Sequence, residues 1–501
     1  MTTEAAAKGN SDPYLALGLR PFINCCSVRT IHGGSLMLPS VRAAVAAASQ
    51  RFVNLDELME AAGARIAELT GAEWGMVTCG SAAALALATA GCVAGNDPAA
   101  MLRLPFTDGM ANRVLIMRGH RFAYDQAIRM AGTHMVECDD EAALVAALEA
   151  GNVAMICVLG KTEDKSPVRL ERIVELARPQ NVPILVDAAS ELIEKPSPWL
   201  TRGADLVVYS GGKFLRGPQT SGLLLGKKAL VKAAWHNASP HHAFGRPMKV
   251  SKEDVIGLVA ALEYWFGERD SAAEEQRWSD DLATIAKALQ GLDGIETTVV
   301  APRWTVRVPS LMISWDETRY GITNEGLRQR LLDGEPRIML DDMASVTTNS
   351  LRIEPFNLQP GEARMVGLAI SRAFQSAARL AQPHAVAPAL DVSGEWELDV
   401  RFLKGGRRHR VTLEQQGTDV TGRQESNGFS GGVQGQVSAS VVRLIFDGEH
   451  EGSTIFYTLE GEAAPSRMTG TVLFGAANGT NRGVLNLRQH GSGTWEARRP
   501  G

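Results

Sequence analysis

A lysine and an aspartate each follow an apolar run in the middle of the chain. Lys213 comes shortly after the run Leu206–Tyr209, and Asp187 ends the preceding run, which starts at Ile184. Continuously apolar runs of this length are typical of parallel strands buried on both faces, and ligands bind where such strands end. We therefore expect Asp187 and Lys213 to converge. A lysine there can hold the aldehyde of pyridoxal phosphate as a Schiff base, while a carboxylate keeps the pyridine nitrogen protonated.

Each residue also has an ordinary structural interpretation. Lys213 could be a surface lysine on a glycine-rich turn, and Asp187 a solvated residue at a strand end. A P-loop is excluded, because Phe214 stands where that motif needs a Ser or Thr to hold magnesium.

A possible anion site precedes both residues. The sequence Thr78-Cys79-Gly80-Ser81-Ala82 combines the end of an apolar run, a glycine and the start of an Ala-rich helical stretch. Free N–H groups at a helix start bind a phosphate without any arginine. The alternative is an ordinary turn in which Ser81 caps the helix.

The surrounding pattern predicts an α/β fold followed by an all-β module. Apolar runs alternate with helical patterns from Trp74 to Gly226, and a second, smaller α/β segment follows. We predict an N-terminal arm over residues 1–30, a large domain over 31–300, a small α/β domain over 301–382 and a linker over 383–389. Short alternating runs between Gly-rich turns predict an antiparallel β-barrel-like domain over 390–501.

The C-terminal module should fold by itself. Its alternating strands can bury one face against each other, and the Pro-containing linker suggests a loose tether. We expect it to contribute no catalytic residue. The alternative is a lid or an oligomer contact.

Composition favours a small-molecule partner in a reducing compartment. The formal net charge is −5, so neither nucleic acid nor an anionic membrane is an expected partner. The six cysteines show no zinc-like spacing, and His236, His241 and His242 lack companion ligands, so no metal is expected. No apolar stretch has the length of a membrane span or the form of a signal peptide, which favours a cytoplasmic protein.

Several motifs in one order resemble a known family. The Gly80 turn, Val186-Asp187-Ala188-Ala189 and Ser210-Gly211-Gly212-Lys213 occur in the same chain as Arg118-Gly119-His120 and Gly245-Arg246-Pro247-Met248. The order resembles fold type I pyridoxal-phosphate enzymes, in the branch of selenocysteine synthase and D-glucosaminate-6-phosphate ammonia-lyase. The resemblance extends from about Leu17 to about Phe374 and implies a large parallel-rich sheet domain beside a small α/β domain.

The resemblance also implies roles for individual residues. Lys213 would be the Schiff-base lysine, Asp187 the partner of the pyridinium and His120 the group over the cofactor ring. The remaining cofactor contacts would come from Gly80, Ser81, Ala82, Ser210 and Thr220. Relatives complete their sites across a subunit interface, so at least a homodimer is expected.

Two arginines and two cysteines complete the candidate set. Arg246 and Arg352 could each receive a substrate carboxylate or phosphate, because a guanidinium suits either group. Both could equally be ordinary surface residues. The pair Cys25-Cys26 departs from the family pattern, and we expect free thiols that shape the pocket or simply pack.

The sequence thus predicts a pyridoxal-phosphate lyase. It would eliminate ammonia or another β-leaving group from a polar 2-amino acid or an amino sugar acid. Racemisation, transamination and selenium transfer stay open, since the first two begin with the same proton removal. An alternative of another class is a non-catalytic binding or regulatory protein that retains the fold.

Overall fold

The computed structural model describes residues 12–302, 308–340, 350–376, 388, 390–478, 485–486 and 489–500. These residues fall into two compact units. The smaller unit takes in the described residues up to 27, residues 271–302 and residues 308–376. The larger unit takes in residues 28–270 and the described residues from 388 onward.

The main sheet of the larger unit has seven strands. In chain order they are β1 (Trp74–Thr78), β2 (Arg113–Met117), β3 (His134–Cys138), β4 (Val153–Leu159), β5 (Ile184–Asp187), β6 (Leu206–Ser210) and β7 (Gly222–Gly226). Their order across the sheet is β1-β7-β6-β5-β4-β2-β3, and only β7 runs antiparallel to its neighbours. Most of these residues are buried, as expected of strands covered on both faces.

Helices connect and cover these strands. The α-helices are Pro39–Ser49, Leu55–Thr70, Ser81–Ala94, Pro98–Arg103, Gln126–Arg129, Glu141–Glu149, Leu170–Ala177, Pro198–Thr201, Lys228–His236 and Lys252–Gly267. Short 3-10 turns are Thr30–His32, Arg118–His120, Ala123–Asp125, Gly160–Lys165 and Arg178–Gln180. Among the described residues, no helix combines the length and the apolar character needed to cross a membrane.

Local signals fix several helix ends. The Asn54 side chain accepts hydrogen bonds from the N–H groups of Asp56 and Glu57 at 2.9 and 3.1 Å, which satisfies two of the four free donors at that helix start. Gly71 ends the same helix in the left-handed conformation. Helix Ser81–Ala94 is different, because Gly80 stands at its N-cap position and no described side chain caps it.

The smaller unit is an α/β assembly around its own apolar core. Strands Ile295–Val300, Ser310–Trp315 and Ser350–Ile353 form an antiparallel sheet, and Ile23–Asn24 pairs in parallel with Ile338–Met339. The helices are Pro13–Ala16, Ser271–Leu289, Glu317–Tyr320, Asn324–Asp333 and Glu362–Gln375. Ile285 and Leu289 enter this core, so the unit also includes helix Ser271–Leu289 and is larger than the 301–382 segment predicted from the sequence.

The C-terminal segment is the expected antiparallel barrel. Eight strands close on themselves: Gly394–Arg401, Gly406–Gln416, Asp419–Ser426, Phe429–Ser438, Val441–His450, Ser453–Ala464, Arg467–Asn478 and Ser492–Arg498. Leu485–Asn486 adds a short pairing outside the ring. Trp396, Phe446 and Trp495 point into the barrel core. Of the predicted linker, residues 383–387 and 389 lie outside the described residues.

Candidate active site

Asp187 and Lys213 lie together at the carboxyl edge of the main sheet. Asp187 is the last residue of β5 and is 6% exposed, and Lys213 follows the end of neighbouring β6. Burial raises the pKa of Asp187 and lowers the pKa of Lys213, while the attraction between the two charges opposes both shifts. The N–H of Ala189 donates to Asp187 Oδ1 at 2.9 Å and orients that carboxyl group. The structure therefore brings the two residues into one electrostatic unit.

The turn that carries Lys213 is held by a distant serine. Ser35 Oγ donates to the carbonyl oxygens of Gly212 and Lys213 at 3.1 and 2.7 Å. A Cβ at Gly212 would meet the Gln219 backbone at 2.4 Å, so only glycine permits this packing. Side-chain and backbone contacts thus fix the Lys213 backbone independently of its own amine.

The Gly80 turn, residues 79–81, leaves a helix start without a side-chain cap. Gly80 has φ +96°, a conformation that favours glycine, and it takes the N-cap position expected for Ser81. Gly222 makes close contact behind it, since a Cβ there would lie 2.3 Å from the Gly80 carbonyl carbon and 2.6 Å from Ser81 N. The uncapped N–H groups and the helix dipole suit an anion at this turn.

The other predicted cofactor contacts lie around this turn. Ser81 and Ala82 are the first two residues of helix Ser81–Ala94, and Ser210 pairs with Gly222 across β6 and β7. The Thr220 side chain is exposed, and its carbonyl oxygen is 3.7 Å from where a Gly80 Cβ would be. The residues that the family resemblance assigned to the cofactor are therefore close in space around this turn.

His120 is buried without any hydrogen bond to its ring. The residue is 1% exposed and ends the 3-10 turn that follows β2. Neither Nδ1 nor Nε2 has a hydrogen-bond partner in the part of the chain that the structure describes. Burial lowers the pKa of His120 to about 4, so the imidazole is neutral near pH 7. A buried polar ring without partners is the kind of group that a bound ligand can satisfy.

Lys161 is a site residue that the sequence analysis missed. It lies two residues after β4, whose last residue, Leu159, pairs with Asp187. The turn around it joins two parts of the site, because a Cβ at Gly160 would be 3.1 Å from the Asp187 carbonyl oxygen and Thr162 Oγ1 donates to Gly119 O at 3.5 Å. Burial lowers the pKa of Lys161, and Asp187 opposes the shift. Lys161 also lowers the pKa of Lys213, so two lysines share one carboxylate.

Glu191 is a second missed residue. Its Oε2 accepts a hydrogen bond from Trp199 Nε1 at 2.8 Å, whereas its Oε1 is buried with no partner among the described residues. Burial, with Asp187 nearby, raises the pKa of Glu191 to about 8. The carboxyl group, four residues beyond Asp187, is therefore mostly protonated near pH 7.

The two candidate substrate arginines lie in different compact units. Arg246 belongs to the larger unit, is exposed and donates from Nη1 to Ser239 Oγ at 3.4 Å. Arg352 belongs to the smaller unit and pairs with Met312 in its sheet. The Nε of Arg352 is buried and unpartnered within the described ranges, so its N–H can donate a hydrogen bond to a ligand.

The Cys25-Cys26 pair has a packing role in the smaller unit. Both cysteines are buried and neither forms a disulfide. Cys25 is part of the apolar core and burial raises its pKa well above the usual range, so the thiol is protonated and unreactive. Cys26 Sγ donates to the Met339 carbonyl oxygen at 3.3 Å.

Curated relatives match most of this architecture. D-glucosaminate-6-phosphate ammonia lyase of Salmonella typhimurium is 30% identical over 332 residues, which are 64% of this chain and 87% of that protein. The 5'-C-glycyluridine monooxygenase-decarboxylase of a Streptomyces species is 30% identical over 369 residues, 70% of this chain and 90% of that protein. L-seryl-tRNA(Sec) selenium transferase of Moorella thermoacetica is 29% identical over 278 residues, 49% of this chain and 55% of that protein.

A solved structure agrees with the sequence relatives. The structure of D-glucosaminate-6-phosphate ammonia-lyase superposes with a TM-score of 0.65 at 27% identity, covering 74% of this chain and 99% of that one. No family model matches the chain. The chain belongs to the fold type I pyridoxal-phosphate-dependent enzymes. The expected branch, with the ammonia-lyase and selenocysteine synthase, is confirmed, and so is the expectation of a pyridoxal-phosphate-dependent lyase.

The residues of this fold type I chain fit the family's cofactor. An aldehyde needs an amine, and Lys213 supplies a buried one beside a buried carboxylate. A phosphate needs N–H donors, and the uncapped Gly80 turn presents them. The unpartnered ring of His120, which follows β2 at the carboxyl edge of the same sheet, gives an aromatic, polar surface. These three observations are independent of each other, because they rest on charge, backbone geometry and unsatisfied polar atoms respectively.

Proposed function

We propose that the protein binds pyridoxal 5'-phosphate at this site and eliminates ammonia or another β-leaving group from a polar 2-amino acid or an amino sugar acid. The observation that supports this proposal most directly is that Lys213, Asp187 and a neutral, unpartnered His120 occupy the carboxyl edge of one sheet. In this proposal Lys213 holds the cofactor aldehyde, Asp187 faces the ring nitrogen and His120 lies on the ring. Phosphate contacts come from Gly80, Ser81, Ala82 and Ser210, and Thr220 contacts the phosphate bound by a neighbouring subunit.

The side chains have charge states that suit proton transfer from Cα. Pyridoxal phosphate, when bound, supplies the electron sink that makes the Cα proton acidic. Burial lowers the pKa of Lys213, so a larger fraction of its amine is neutral and able to accept that proton near pH 7. Asp187, kept dry and oriented by the N–H of Ala189, retains a proton on the ring nitrogen opposite it.

Lys161 is the residue that we propose to face the acidic group of the substrate. Lys161 is half-buried and lies beside Asp187 in the same site. A desolvated cation of this kind binds a carboxylate or phosphate strongly. Arg246 and Arg352 are proposed as further contacts for a carboxylate or phosphate.

Substitution of Lys161 by methionine tests that assignment. We expect Lys161→Met to raise KM for an acidic amino-acid substrate at least about tenfold, because a buried charge pair is lost. Lys161→Arg should recover part of the affinity. The variant should still bind pyridoxal phosphate, because Lys213 and the Gly80 turn are untouched. An unchanged KM in Lys161→Met would remove Lys161 from the substrate site.

Absorption and chemical trapping test the proposed function itself. The purified protein should be yellow, and borohydride should fix the cofactor to Lys213 with a mass increase that Lys213→Ala abolishes. A colourless protein that pyridoxal phosphate does not reconstitute would contradict the enzyme function and favour a binding or regulatory role.

A substrate screen separates the reaction subtypes. Amino acids and 2-amino sugar acids are incubated with the loaded enzyme while ammonia, keto acid, chirality, oxygen uptake and carbon dioxide are measured. Elimination predicts equal amounts of ammonia and keto acid with no oxygen uptake. Inversion of the substrate's configuration without release of ammonia would indicate a racemase. A requirement for a second keto acid would indicate an aminotransferase. Oxygen uptake with release of carbon dioxide would indicate a reaction of the kind that the Streptomyces relative is named for.

We further propose a cytoplasmic homodimer or larger homo-oligomer that acts on an amino-acid-like small molecule. All six cysteines are unpaired, which suits a reducing compartment. The exposed Thr220 beside the Gly80 turn is the residue that we expect a neighbouring subunit's cofactor phosphate to contact.

A further inference from the structure

One hairpin of the barrel reaches the large domain next to His120. Strands Val441–His450 and Ser453–Ala464 are joined by Glu451 and Gly452, and we call this unit the docking hairpin. Both joining residues have positive φ, 48° and 72°, as a two-residue type I′ turn requires. A Cβ at Gly452 would lie 2.7 Å from Phe122 N and 2.9 Å from Phe122 O. The hairpin tip therefore packs on the backbone two residues beyond His120.

An ion cluster accompanies this backbone contact. Arg121 is 11% exposed at its side chain and donates to Asp125 at 2.5 Å and to Glu451 at 2.8 Å. It also pairs with Glu137. Arg129 joins the cluster through Asp125 at 3.4 Å and Glu451 at 3.5 Å. The barrel thus supplies one of the three carboxylates that surround Arg121.

The cluster fixes the segment that carries His120. Arg121 directly follows His120, and its N–H donates to the Arg118 carbonyl oxygen at 3.2 Å, which closes the 3-10 turn. Asp125 is fully buried, and its Oδ2 also accepts from Phe122 N at 3.4 Å. Removing one partner from a buried ion cluster leaves uncompensated charge and rearranges what remains. A change at Glu451 is therefore transmitted to the residue next to His120.

We propose that the docking hairpin is a positioning element for the active site, in which Glu451 and Gly452 set the orientation of His120 through Arg121 and Phe122. This differs from the loosely tethered module expected from the sequence. The proposal extends the proposed function, since the orientation of His120 matters most when a cofactor ring lies against it. His120 itself touches the ring, and Glu451 acts only through the segment between them.

Hydrogen exchange and cofactor optics test the proposal on the full-length protein. Glu451→Gln removes the charge and Gly452→Ala places a methyl group against Phe122. In both we expect amides of residues 118–125 to exchange at least about fivefold faster. The visible circular dichroism of bound pyridoxal phosphate should change, and its reaction with aminooxyacetate should slow by about three- to tenfold.

Glu449→Gln is the matched control. Glu449 is on the same hairpin and exposed, and it makes no ion pair with a described residue. It should leave all three measurements unchanged. In a His120→Asn background, Glu451→Gln should have little further effect on the aminooxyacetate rate, because coupled residues are not additive.

The outcomes separate this proposal from the proposed function. The positioning role would be overturned if Glu451→Gln and Gly452→Ala showed the same amide exchange rates and the same circular dichroism as Glu449→Gln. It would also be overturned if the effects of Glu451→Gln and His120→Asn on the aminooxyacetate rate were fully additive. Failure of the unchanged protein to bind pyridoxal phosphate would overturn the proposed function alone, and the exchange of residues 118–125 would still decide whether the hairpin holds this segment.

Discussion

Burial, rather than any single ion pair, sets the charge states in the candidate site. Asp187, Lys213, Lys161 and Glu191 each lose hydration, and for each the pKa moves in the direction that desolvation dictates. Lys161 also helps to keep the pKa of Lys213 low. The ionisable groups of the site interact with one another, so replacing one of them changes the protonation of the others.

Asp187→Asn should keep the shape of the site but remove its negative charge. We expect pyridoxal phosphate still to bind, because the Gly80 turn and Lys213 are untouched. Turnover should fall by at least about 100-fold, the scale on which losing a preorganised electrostatic partner acts at catalytic sites. Steady-state kinetics on the substrate found by screening measures this. A near-normal rate would show that Asp187 does not face the ring nitrogen.

Glu191→Gln should change how stability depends on pH. In the folded protein the pKa of Glu191 is raised to about 8, so the unfolded chain releases this proton more readily. The protein then loses stability as pH rises from about 4.5 to about 8, by roughly 1.4 kcal/mol per pH unit at most. Gln carries no such proton. Relative to the unchanged protein, Glu191→Gln should become progressively more stable over this range.

Urea unfolding at about pH 5 and about pH 8 measures this difference in free energy. Glu268→Gln, at an exposed position, is the control, and its effect on the free energy of unfolding should be the same at both pH values. A Glu191→Gln effect that is equal at both pH values would mean that Glu191 is ionised in the folded state.

The sequence predicted residues that follow apolar runs and missed those that tertiary contacts bury. Asp187 and Lys213 are recognisable because each comes directly after a strand-like run. Lys161 has the same signal after Val153–Leu159, but the charged stretch Glu163–Lys165 makes it look like part of a solvated loop. Glu191 gives no local signal, since its burial depends on Trp199 folding back onto it.

At the scale of elements, the Gly80 turn depends on a neighbouring strand. β7 crosses behind it at a distance that only a glycine at position 222 allows. A side chain at Gly222 must push the turn away or shift β7 between β1 and β6. The helix start then loses the alignment of its N–H groups with an anion.

Gly222→Ala should therefore weaken cofactor binding more than it weakens folding. We expect the Kd of pyridoxal phosphate, measured by equilibrium dialysis, to rise at least about tenfold, equal to about 1.4 kcal/mol. Gly267→Ala is the control, because a Cβ at Gly267, which ends helix Lys252–Gly267, would meet no atom within 4 Å. Equal affinities in the two variants would show that the turn does not contact the phosphate.

The types of the secondary-structure elements were predictable, whereas the direction of one strand and the core against which one helix packs were not. The apolar runs predicted β1, β2 and β4 to β6 because continuous burial leaves a local pattern. The antiparallel direction of β7 has no such pattern, since its five residues are buried whichever way they run. Similarly, helix Ser271–Leu289 belongs to the smaller unit, where Trp278 and Leu282 are buried. Its amphipathic sequence predicts a helix but not the core against which that helix packs.

At the scale of the whole molecule, we expect at least a homodimer. Thr220 is exposed although it adjoins the Gly80 turn, so a second subunit could reach it. Analytical ultracentrifugation at the assay concentration should give twice the chain mass or more, and Thr220→Ala should lower cofactor affinity only in the associated form. A fully active monomer would contradict the shared site.

The strand order of the main sheet also determines when the site can form as the chain folds. β1, which leads into the Gly80 turn, is hydrogen-bonded within the described sheet only to β7, with Trp74 opposite Gly226. Pairing strands so distant in sequence is slow, because a long loop must close first. During synthesis on the ribosome, β1 has no strand to pair with until β7 has emerged. We therefore expect pyridoxal phosphate to bind only to chains whose main sheet is already complete.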